Sequence, residues 1–213
     1  MTVFVLQHVA PEGPGRIAVA ISRAGHALTT VHLYAGDPVP TSLDDVSGLV
    51  VMGGPMSVGD TAAYPHLAHE RRLIAACLHA DLPVLGVCLG AQLLAAEAGG
   101  SVRAAAGVEL GWQPVTVTAD ARDDPVFGEV PSPFHPLHWH GDEFDLPPSA
   151  VALASSEMTR VQAFRTGSHA YGLLFHLEVD GPQVAAMVQA FPDDLVRAAA
   201  QPADVLDPQR PLA

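Results

Sequence analysis

The run Pro-Val-Leu-Gly-Val-Cys-Leu-Gly-Ala-Gln at residues 83–92 restricts the fold of this chain more than any other segment. Its apolar half predicts a buried strand at residues 84–87 that turns sharply into a helix. Cys88 stands at the corner, and Gly86 and Gly90 leave the room that so tight a turn requires. Amides of the first helical turn favour a thiolate and any oxyanion formed beside it. We therefore predict that Cys88 is a nucleophile, although cysteines in apolar surroundings are commonly core residues.

Strand and helix signals alternate through the first half of the chain. Runs rich in Val and Leu predict strands at residues 3–6, 30–34, 48–52 and 84–87. Helical patterns predict helices at residues 15–24, 65–80 and 91–98, the last ended by Gly99 and Gly100. The second helix is expected to bury Leu67, Ile74, Cys77 and Leu78 and to expose His69, Glu70, Arg71 and Arg72. Such alternation is typical of βαβ units around a mostly parallel sheet.

The pattern changes beyond Gly100 to shorter pieces. They predict strands at residues 115–118, 137–139, 151–155, 161–165 and 171–176, with antiparallel pairs among them. Helices are predicted at residues 183–191 and 193–200. The proline-rich stretches at 131–136 and 147–148 are interpreted as ordered loops, because each adjoins a predicted strand. We therefore expect residues 1–213 to form a single domain.

Composition limits the class of partner. The 213 residues include 23 acidic and 10 basic side chains, for a formal charge of −13, and no cluster of Lys or Arg occurs. Binding to nucleic acid requires a basic surface, so we do not expect that partner. Apolar runs stay shorter than the ~18 residues of a membrane span, and the N-terminus lacks the basic start of a secretory signal. Two cysteines give no disulfide framework, so we expect a cytoplasmic protein without a membrane partner.

A thiol nucleophile needs a base and an acid that orients it, and His176 and Glu178 are the best candidates. Residues two apart in an extended strand share a face, so the carboxylate can hold one imidazole nitrogen while the other meets Cys88. The pair His-x-Glu alone is also compatible with a solvated surface. Its position at the end of an apolar strand favours the catalytic interpretation.

The sequence Gly53-Gly54-Pro55 follows another predicted strand. Two glycines let backbone N–H groups approach a substrate closely, and the proline stiffens the exit from the loop. A lone Gly-Gly-Pro more often marks an ordinary turn. After a buried strand and beside a nucleophile, it is interpreted as an oxyanion loop.

Five motifs together resemble those of the class I, triad-type glutamine amidotransferases, and most closely the stand-alone relatives of the GMP synthetase glutaminase domain. They are Gly53-Gly54-Pro55-Met56-Ser57, Gly86-Val87-Cys88-Leu89-Gly90-Ala91-Gln92, Glu109-Leu110-Gly111-Trp112, His138-Trp139-His140-Gly141-Asp142 and Phe175-His176-Leu177-Glu178. The resemblance extends nearly from end to end. It implies a three-layer, flavodoxin-like α/β sandwich with a central, mostly parallel sheet and a few antiparallel strands in the second half.

The resemblance also implies a role for each matching residue. Cys88 would be the nucleophile, His176 the general base and then acid, and Glu178 the group that holds His176. The backbone amides of Gly54 and Leu89 would form the oxyanion hole. The residues implied to contact the glutamine substrate are Gly53, Pro55, Gln92, His140, Gly141 and Asp142. No cofactor and no metal are implied.

Two residues depart from the pattern of many relatives, because Leu174 and Leu177 stand where Gln and Pro are common. The triad is intact, but the physiological acceptor of the ammonia is left open. The chain could be a glutaminase that supplies ammonia to a separate synthetase. It could also be a free-standing hydrolase of γ-glutamyl amides or peptides. A third alternative, a non-catalytic binding or regulatory member, is disfavoured by the intact triad.

One cluster has an alternative interpretation as a metal site. His135, His138 and His140 lie close together in sequence, and imidazoles at this density can bind zinc. No thiolate or carboxylate completes a familiar ligand spacing nearby. The resemblance accounts for this segment without a metal, so none is expected.

Overall fold

The computed structural model describes residues 2–208. The strands are β1 Thr2–Gln7, β2 Ala27–His32, β3 Val46–Val51, β4 Val84–Val87, β5 Val102–Trp112, β6 Thr116–Val117, β7 Leu137–Phe144, β8 Val151–Ser155, β9 Ala163–Thr166 and β10 Ala170–Leu173. The helices are α1 Gly15–Arg23, α2 His66–His79, α3 Leu89–Glu97, α4 Gly181–Ala190, α5 Pro192–Arg197 and α6 Pro202–Leu206. None of the helices within this range is long and apolar enough to cross a membrane.

Eight strands form the main sheet in the order β2-β1-β3-β4-β10-β9-β8-β6. The five strands from β2 to β10 are parallel, and β9, β8 and β6 continue the sheet in antiparallel pairing. Long crossovers join the parallel strands, as βαβ connections require. The mostly parallel α/β sheet with an antiparallel extension confirms the predicted fold class.

Helices cover both faces of the parallel strands. Alternate strand residues point to opposite faces, so Val5 and Val50 pack with Ile17 of α1 while Leu6 and Val51 pack in a second cluster. That second cluster also holds buried residues of α2 and α3, among them Leu67, Ile74, Cys77, Leu93 and Leu94. The sheet is therefore the middle layer of three.

The turn between β4 and α3 is held by close backbone packing. A Cβ atom on Gly86 would overlap the backbone of Gly90, and one on Gly90 would overlap the main-chain carbonyl of Val51 in β3. Helix α3 therefore starts pressed against two strands at once. Cys88, between the glycines, has φ 51° and ψ −108°, a conformation that costs a non-glycine residue free energy and that is found at functional turns.

A smaller unit lies over the carboxyl edge of the parallel strands. Strands β5 and β7 form a separate antiparallel pair, and Leu110 and Leu137 from this pair pack with Val184 of α4 and Leu195 of α5. The Trp112 Nε1–H donates to the Val205 carbonyl in α6 at 2.8 Å. This unit carries the segment at residues 138–142 and α5 towards the loops that follow β3 and β4.

Several sequence predictions need correction. The strand predicted at residues 30–34 begins earlier and ends earlier, because β2 spans Ala27–His32 and Leu33–Ala35 form a 3₁₀ turn. The eleven-residue strand β5 and helix α6 are not predicted at all. Strand β5 escapes prediction because its first half, Arg-Ala-Ala-Ala-Gly, has no alternating apolar pattern and becomes extended by pairing with β7.

The prediction for the outer face of α2 is also wrong at one position. Glu70 is fully buried, whereas His69 and Arg72 are exposed as expected. Its carboxylate faces two histidines, at 2.8 Å from the nearest nitrogen of each. A helical periodicity cannot anticipate a polar partner that a distant strand brings to the buried face.

The elbow packing predicts the effect of Gly90→Ala. The added methyl group meets the backbone of β3, which cannot shift without breaking its pairing with β1 and β4. We expect the free energy of unfolding to fall by about 2 kcal/mol or more. Gly59→Ala is the matched control, because nothing lies near its Cβ position, and its change should stay within about 0.5 kcal/mol. Equal values for the two variants in urea denaturation would contradict this packing argument.

Candidate active site

The loops that follow four parallel strands meet at one edge of the sheet. Glu12 follows β1, Gly53 and Gly54 follow β3, Cys88 follows β4, and His176 follows β10. Carboxyl ends of parallel strands lie on the same edge, which is where α/β proteins place ligands. Residues far apart in the sequence are thereby gathered at one place, where Glu12, Gly54 and Cys88 line a single cavity and Gly53 lies next to Glu12 and His176.

The structure brings Cys88, His176 and Glu178 together. The His176 Nδ1 atom lies 2.7 Å from Oε1 of Glu178, and both side chains are buried. Because Nδ1 faces a carboxylate, it carries a proton, and in the neutral ring Nε2 is the acceptor. Nε2 has no hydrogen-bond partner of good geometry among residues 2–208. The same imidazole interacts with the Cys88 thiol, which is therefore the group that Nε2 can deprotonate.

The sequence analysis explains the His176–Glu178 contact by a continuous strand, and the structure gives a different reason. The predicted strand at 171–176 is too long, since β10 ends at Leu173 and residues 174–178 are irregular. His176 is fixed instead by two backbone hydrogen bonds with Leu137, of 2.8 and 3.2 Å. The contact is therefore not explained by the alternating side chains of an extended strand. It is explained by an irregular loop that is hydrogen-bonded to Leu137 of β7.

Burial and charge set the proton affinities of this pair. Burial acts to lower the pKa of His176, but the carboxylate of Glu178 and the nearby Cys88 outweigh it and hold that pKa well above its usual value. Burial raises the pKa of the Cys88 thiol, and the His176 imidazole opposes this rise. Thiol and imidazole therefore titrate as one coupled unit.

The backbone of Leu89 and of Gly54 lies close to the thiol. The Leu89 N–H, at the start of α3, interacts with Cys88 and acts to lower the pKa of its thiol. Gly54 lines the cavity beside Cys88. A Cβ atom on Gly53 would overlap the carboxylate of Glu12 and approach the His176 ring. The loop after β3 therefore has no room for side chains at either glycine.

The cavity has a volume of about 720 Å³ including its open mouth. Of the residues predicted to contact substrate, Pro55, Gln92, His140, Gly141 and Asp142 line it together with Cys88 and Gly54. Gly53 lies beneath the wall, under Glu12 and His176. Both ring nitrogens of His140 are occupied, by the Asp142 carbonyl at 3.2 Å and the Glu109 carboxylate at 3.3 Å. His140 therefore presents ring carbons rather than a polar atom to the cavity.

Charged side chains missed by the sequence analysis surround the mouth. Asp194 and Arg197 of α5 line the cavity, and their nearest charged atoms are 3.4 Å apart. Asp194 also accepts a hydrogen bond from Nε1 of Trp139 at 3.0 Å. On the opposite rim, Asp142 accepts from the Ser57 hydroxyl at 2.9 Å. The sequence predicts a helix at residues 193–200, but it gives no reason to place that helix over the thiol.

Glu12 is the second residue that the sequence analysis missed. Its side chain is 5% exposed and forms no hydrogen bond with another group in residues 2–208. Burial raises the pKa of Glu12 to about 7, His176 acts to lower it, and Glu178 acts to raise it. A carboxyl that keeps its proton well above the usual pH range of a glutamate therefore lies beside the imidazole. Its only sequence signal is one acidic residue in a turn directly after the first strand.

The predicted alternative of a metal site can now be examined by its atoms. Glu109, His138 and His140 bring ligand atoms within 4.8 Å of one another, whereas His135 is not part of that group. The Glu109 oxygens already accept hydrogen bonds from Ser156, Thr159 and Gln162 at 2.6–2.7 Å. Burial acts to raise the pKa of Glu109, but His140 and the bonds from Ser156 and Thr159 lower it to about 2. We interpret Glu109 and His140 as a hydrogen-bonded support for β5 and β7, whereas neither ring nitrogen of the buried His138 has a hydrogen-bond partner of good geometry among residues 2–208.

Comparison with known proteins agrees with this architecture. The family model described as glutamine amidotransferase class-I matches residues 16–191. The chain is 30% identical over 201 residues to the glutamine amidotransferase-like protein YfeJ of Salmonella typhimurium, covering 93% of this chain and 84% of that protein. It is 35% identical over 151 residues to a glutamine-hydrolyzing GMP synthase subunit of Natronomonas pharaonis, covering 69% and 73% respectively. It is 33% identical over 147 residues to gamma-glutamyl peptidase 3 of Arabidopsis thaliana, covering 66% and 58%.

A solved structure gives the same result. The crystal structure of a glutamine amidotransferase from Thermotoga maritima superposes with a TM-score of 0.87 at 32% identity, covering 96% of this chain and 88% of that chain. The likeness includes the parallel strands and also the smaller unit over their carboxyl edge, since nearly the whole chain is superposed. Sequence and structure together establish that the chain belongs to the class I glutamine amidotransferase family.

Proposed function

We propose that this chain hydrolyses the side-chain amide of glutamine, releasing glutamate and ammonia. The observation that carries the proposal is that His176 contacts both Cys88 and Glu178 next to the cavity that Cys88 and Gly54 line, and we assign the oxyanion-binding role to the amides of Gly54 and Leu89. A nucleophile, a base, a group that orients the base and two oxyanion donors are the parts that acyl transfer from an amide needs. Family membership supports the same reaction.

The first half of the reaction forms a thioester. His176 Nε2 takes the proton of the Cys88 thiol, and the sulfur attacks the amide carbon of the substrate. The carbonyl oxygen gains negative charge, which the N–H groups of Gly54 and Leu89 stabilise. As the intermediate collapses, the C–N bond breaks and His176 gives its proton to the departing ammonia. Glu178 stabilises the imidazolium while it exists.

The second half releases the acid. A water molecule attacks the γ-glutamyl thioester while His176 accepts its proton, and the same two amides again stabilise the oxyanion. The C–S bond then breaks, and the proton on His176 returns to the sulfur. Glutamate leaves, and the sum of the two halves is glutamine plus water giving glutamate plus ammonia.

Charges at the mouth support an amino acid as substrate. Arg197 can pair with an α-carboxylate, while Asp142 and Asp194 are close enough to the cavity to pair with an α-ammonium. Gln92, one helical turn after Cys88, lines the same space and offers an amide that can both donate and accept. A zwitterionic head group therefore finds opposite charges at the entrance while its side chain reaches the thiol.

Two candidate functions use the same residues and differ in the substrate and in the group that is released. Relatives named as subunits of GMP synthase support transfer to a separate synthetase. The relative named gamma-glutamyl peptidase and the open mouth of the cavity support a second candidate, hydrolysis of γ-glutamyl peptides by the same residues. We favour glutamine because the carboxyl of Glu12 lies next to His176, the residue that gives its proton to the leaving group. A compact ammonia molecule fits there more easily than a peptide amine.

The two candidates make opposite predictions for a substrate panel. The purified chain should release glutamate from glutamine with a kcat/KM at least about tenfold higher than from γ-glutamyl dipeptides, a difference of about 1.4 kcal/mol in transition-state binding. The measurement is glutamate and ammonia release from each substrate. A preference for dipeptides with glutamine ignored would replace the favoured candidate by the second.

Replacement of the nucleophile tests the mechanism itself. Cys88→Ala should lower the rate of glutamate release by on the order of a thousandfold or more, because the covalent path is lost. Cys77→Ala is the matched control, since Cys77 lies on the buried face of α2, packs in the core cluster and does not line the cavity. It should keep activity within about twofold while losing about 1 kcal/mol of stability. Hydrolysis that survives in Cys88→Ala would refute the assignment of the nucleophile.

The carboxyl of Glu12 predicts how stability depends on pH. Between its ordinary pKa of 4.5 and its native pKa of about 7, the folded chain holds a proton that the unfolded chain has released. Stability from this group is therefore present below pH 4.5 and lost as pH rises to about 7, by up to about 3 kcal/mol. Glu12→Gln cannot titrate, so its unfolding free energy should fall less over this range.

The measurement is urea denaturation of both proteins at about pH 5 and about pH 8, where Glu12 is respectively neutral and charged. Glu129→Gln serves as the control, since Glu129 is exposed and its removal should leave the pH dependence unchanged. A wild-type pH dependence that Glu12→Gln reproduces would show that this carboxyl is not the group responsible.

A further inference from the structure

A second assembly of histidine and carboxylate lies behind the loop after β3. His8, directly after β1, is 1% exposed. Its Nδ1 atom lies 3.0 Å from the Gly53 carbonyl oxygen, and its Nε2 atom lies 2.8 Å from Oε2 of Glu70. The other Glu70 oxygen, Oε1, lies 2.8 Å from Nδ1 of His66, which is partly exposed. This chain of contacts runs from the surface to the backbone of Gly53.

The two partners of His8 settle where its protons are. A carbonyl oxygen can only accept, so Nδ1 of His8 carries a proton and donates to Gly53. A second proton lies between Nε2 and the Glu70 carboxylate. Whether that proton stays on the nitrogen or the oxygen, the donor to Gly53 is kept. His8 is thus locked in the one orientation that holds the loop.

The geometry of the Gly53–Gly54 peptide unit relates the hydrogen bond from His8 to the orientation of the Gly54 N–H group. The bond between Gly53 and Gly54 is trans, since the cis peptide among residues 2–208 is Ser132–Pro133. In a trans peptide the C=O and N–H groups point in opposite directions within one plane. A hydrogen bond that pulls the Gly53 carbonyl towards His8 therefore directs the Gly54 N–H away from His8. Since Gly54 lines the cavity with Cys88, we infer that its N–H points into that cavity.

Packing adds a second restraint on the same peptide. A Cβ atom at position 54 would lie 2.9 Å from Cβ and 3.2 Å from Cγ of His8, so the glycine backbone rests directly on this side chain. Two glycines in a row would otherwise leave the loop free to rotate. The hydrogen bond sets the direction of the peptide plane, and the contact sets its height above His8.

The burial of Glu70 is hard to explain by stability alone. A carboxylate taken into the interior loses its hydration, and an aliphatic side chain at this place on α2 would pack without that loss. Glu70 is nevertheless fully buried and uses both oxygens to contact histidines. Its position is accounted for by the function of fixing His8 from the opposite element, with His66 of the same helix fixing Glu70 in turn.

We propose that His8, held by Glu70 and His66, is the positioning residue for the oxyanion-binding amide of Gly54. The inference rests on the proposed function, in which that amide stabilises the charge formed on the substrate. His8 touches neither the substrate nor Cys88. It acts by keeping one N–H group aligned before the reaction begins, so that no free energy is spent on alignment in the transition state.

Two amide side chains separate the contacts that His8 makes. Asparagine places its amide nitrogen near the position of imidazole Nδ1, and glutamine places it near Nε2. His8→Asn should keep the bond to Gly53 and lose the bond to Glu70, while His8→Gln should do the reverse. We expect kcat for amide hydrolysis to fall by about tenfold to a hundredfold in His8→Gln and by less than about threefold in His8→Asn. KM should change little in either variant, because the amide acts on the transition state.

A reaction without an oxyanion provides the discriminating readout. Iodoacetamide alkylates Cys88 by direct displacement, in which the S–C bond forms as the C–I bond breaks and iodide leaves. Its rate depends on the thiolate but not on Gly54, so it should be equal within about twofold in wild type, His8→Gln and His8→Asn. His26→Ala, at an exposed histidine, is the control for both measurements.

The outcomes decide the proposal. Loss of kcat in His8→Gln with unchanged alkylation, and rescue in His8→Asn, would support it. Equal kcat in the two variants, or a parallel fall in alkylation, would overturn it. Acyl transfer from p-nitrophenyl acetate to Cys88 is measured alongside, since it also forms an oxyanion. If wild type acylates from this ester but ignores glutamine, the proposed substrate fails while the comparison of His8 variants on the ester still tests the role of His8.

Discussion

The close approach of α3 to the sheet is the constraint from which the rest of the site follows. Gly86 in β4 and Gly90 in α3 touch backbone on either side of Cys88, so the chain turns without room for a side chain at either position. The cysteine is left with a positive φ and a side chain that projects from the corner. A helix that began a few ångströms further from β3 would bring its amides to a different place. The packing of two glycines therefore sets the position of the thiol and of the Leu89 amide together.

The parallel pairing of the strands determines how the elements of the site lie relative to one another. The site draws residues from the ends of β1, β3, β4 and β10, and in each case a short loop rather than a strand carries the functional group. Loops of this kind are soft unless something holds them. Here two of them are tied to neighbours: the loop after β10 by His176 to Leu137, and the loop after β3 by Gly53 to His8 and by Ser57 to Asp142. The rigid sheet sets the approximate positions, and these individual hydrogen bonds set the final ones.

Sequence reasoning reached the local features of this fold and missed those that depend on distant partners. The elbow around Cys88 and the mostly parallel sheet each follow from nearby residues, since turn glycines and apolar runs act over short distances. The sequence also places His176 beside Glu178, but through a strand that ends at Leu173, and the loop that makes the contact depends on Leu137. Strand β5, by contrast, becomes extended by pairing with β7. The burial of Glu70 and the placement of Glu12 beside His176 are likewise fixed by other elements. No periodicity within their own segments encodes these contacts.

The insertion of β10 between β4 and β9 has a consequence for synthesis of the protein. Until residues 170–173 exist, β4 is an open edge with unpaired backbone groups beside the thiol, and such edges invite association with other chains. A nascent polypeptide that has left the ribosome only as far as α3 holds the Cys88 thiol but lacks the His176 imidazole. The proposed reaction therefore becomes possible only once β10 has joined the sheet, and a translation product truncated before His176 lacks the base of that reaction.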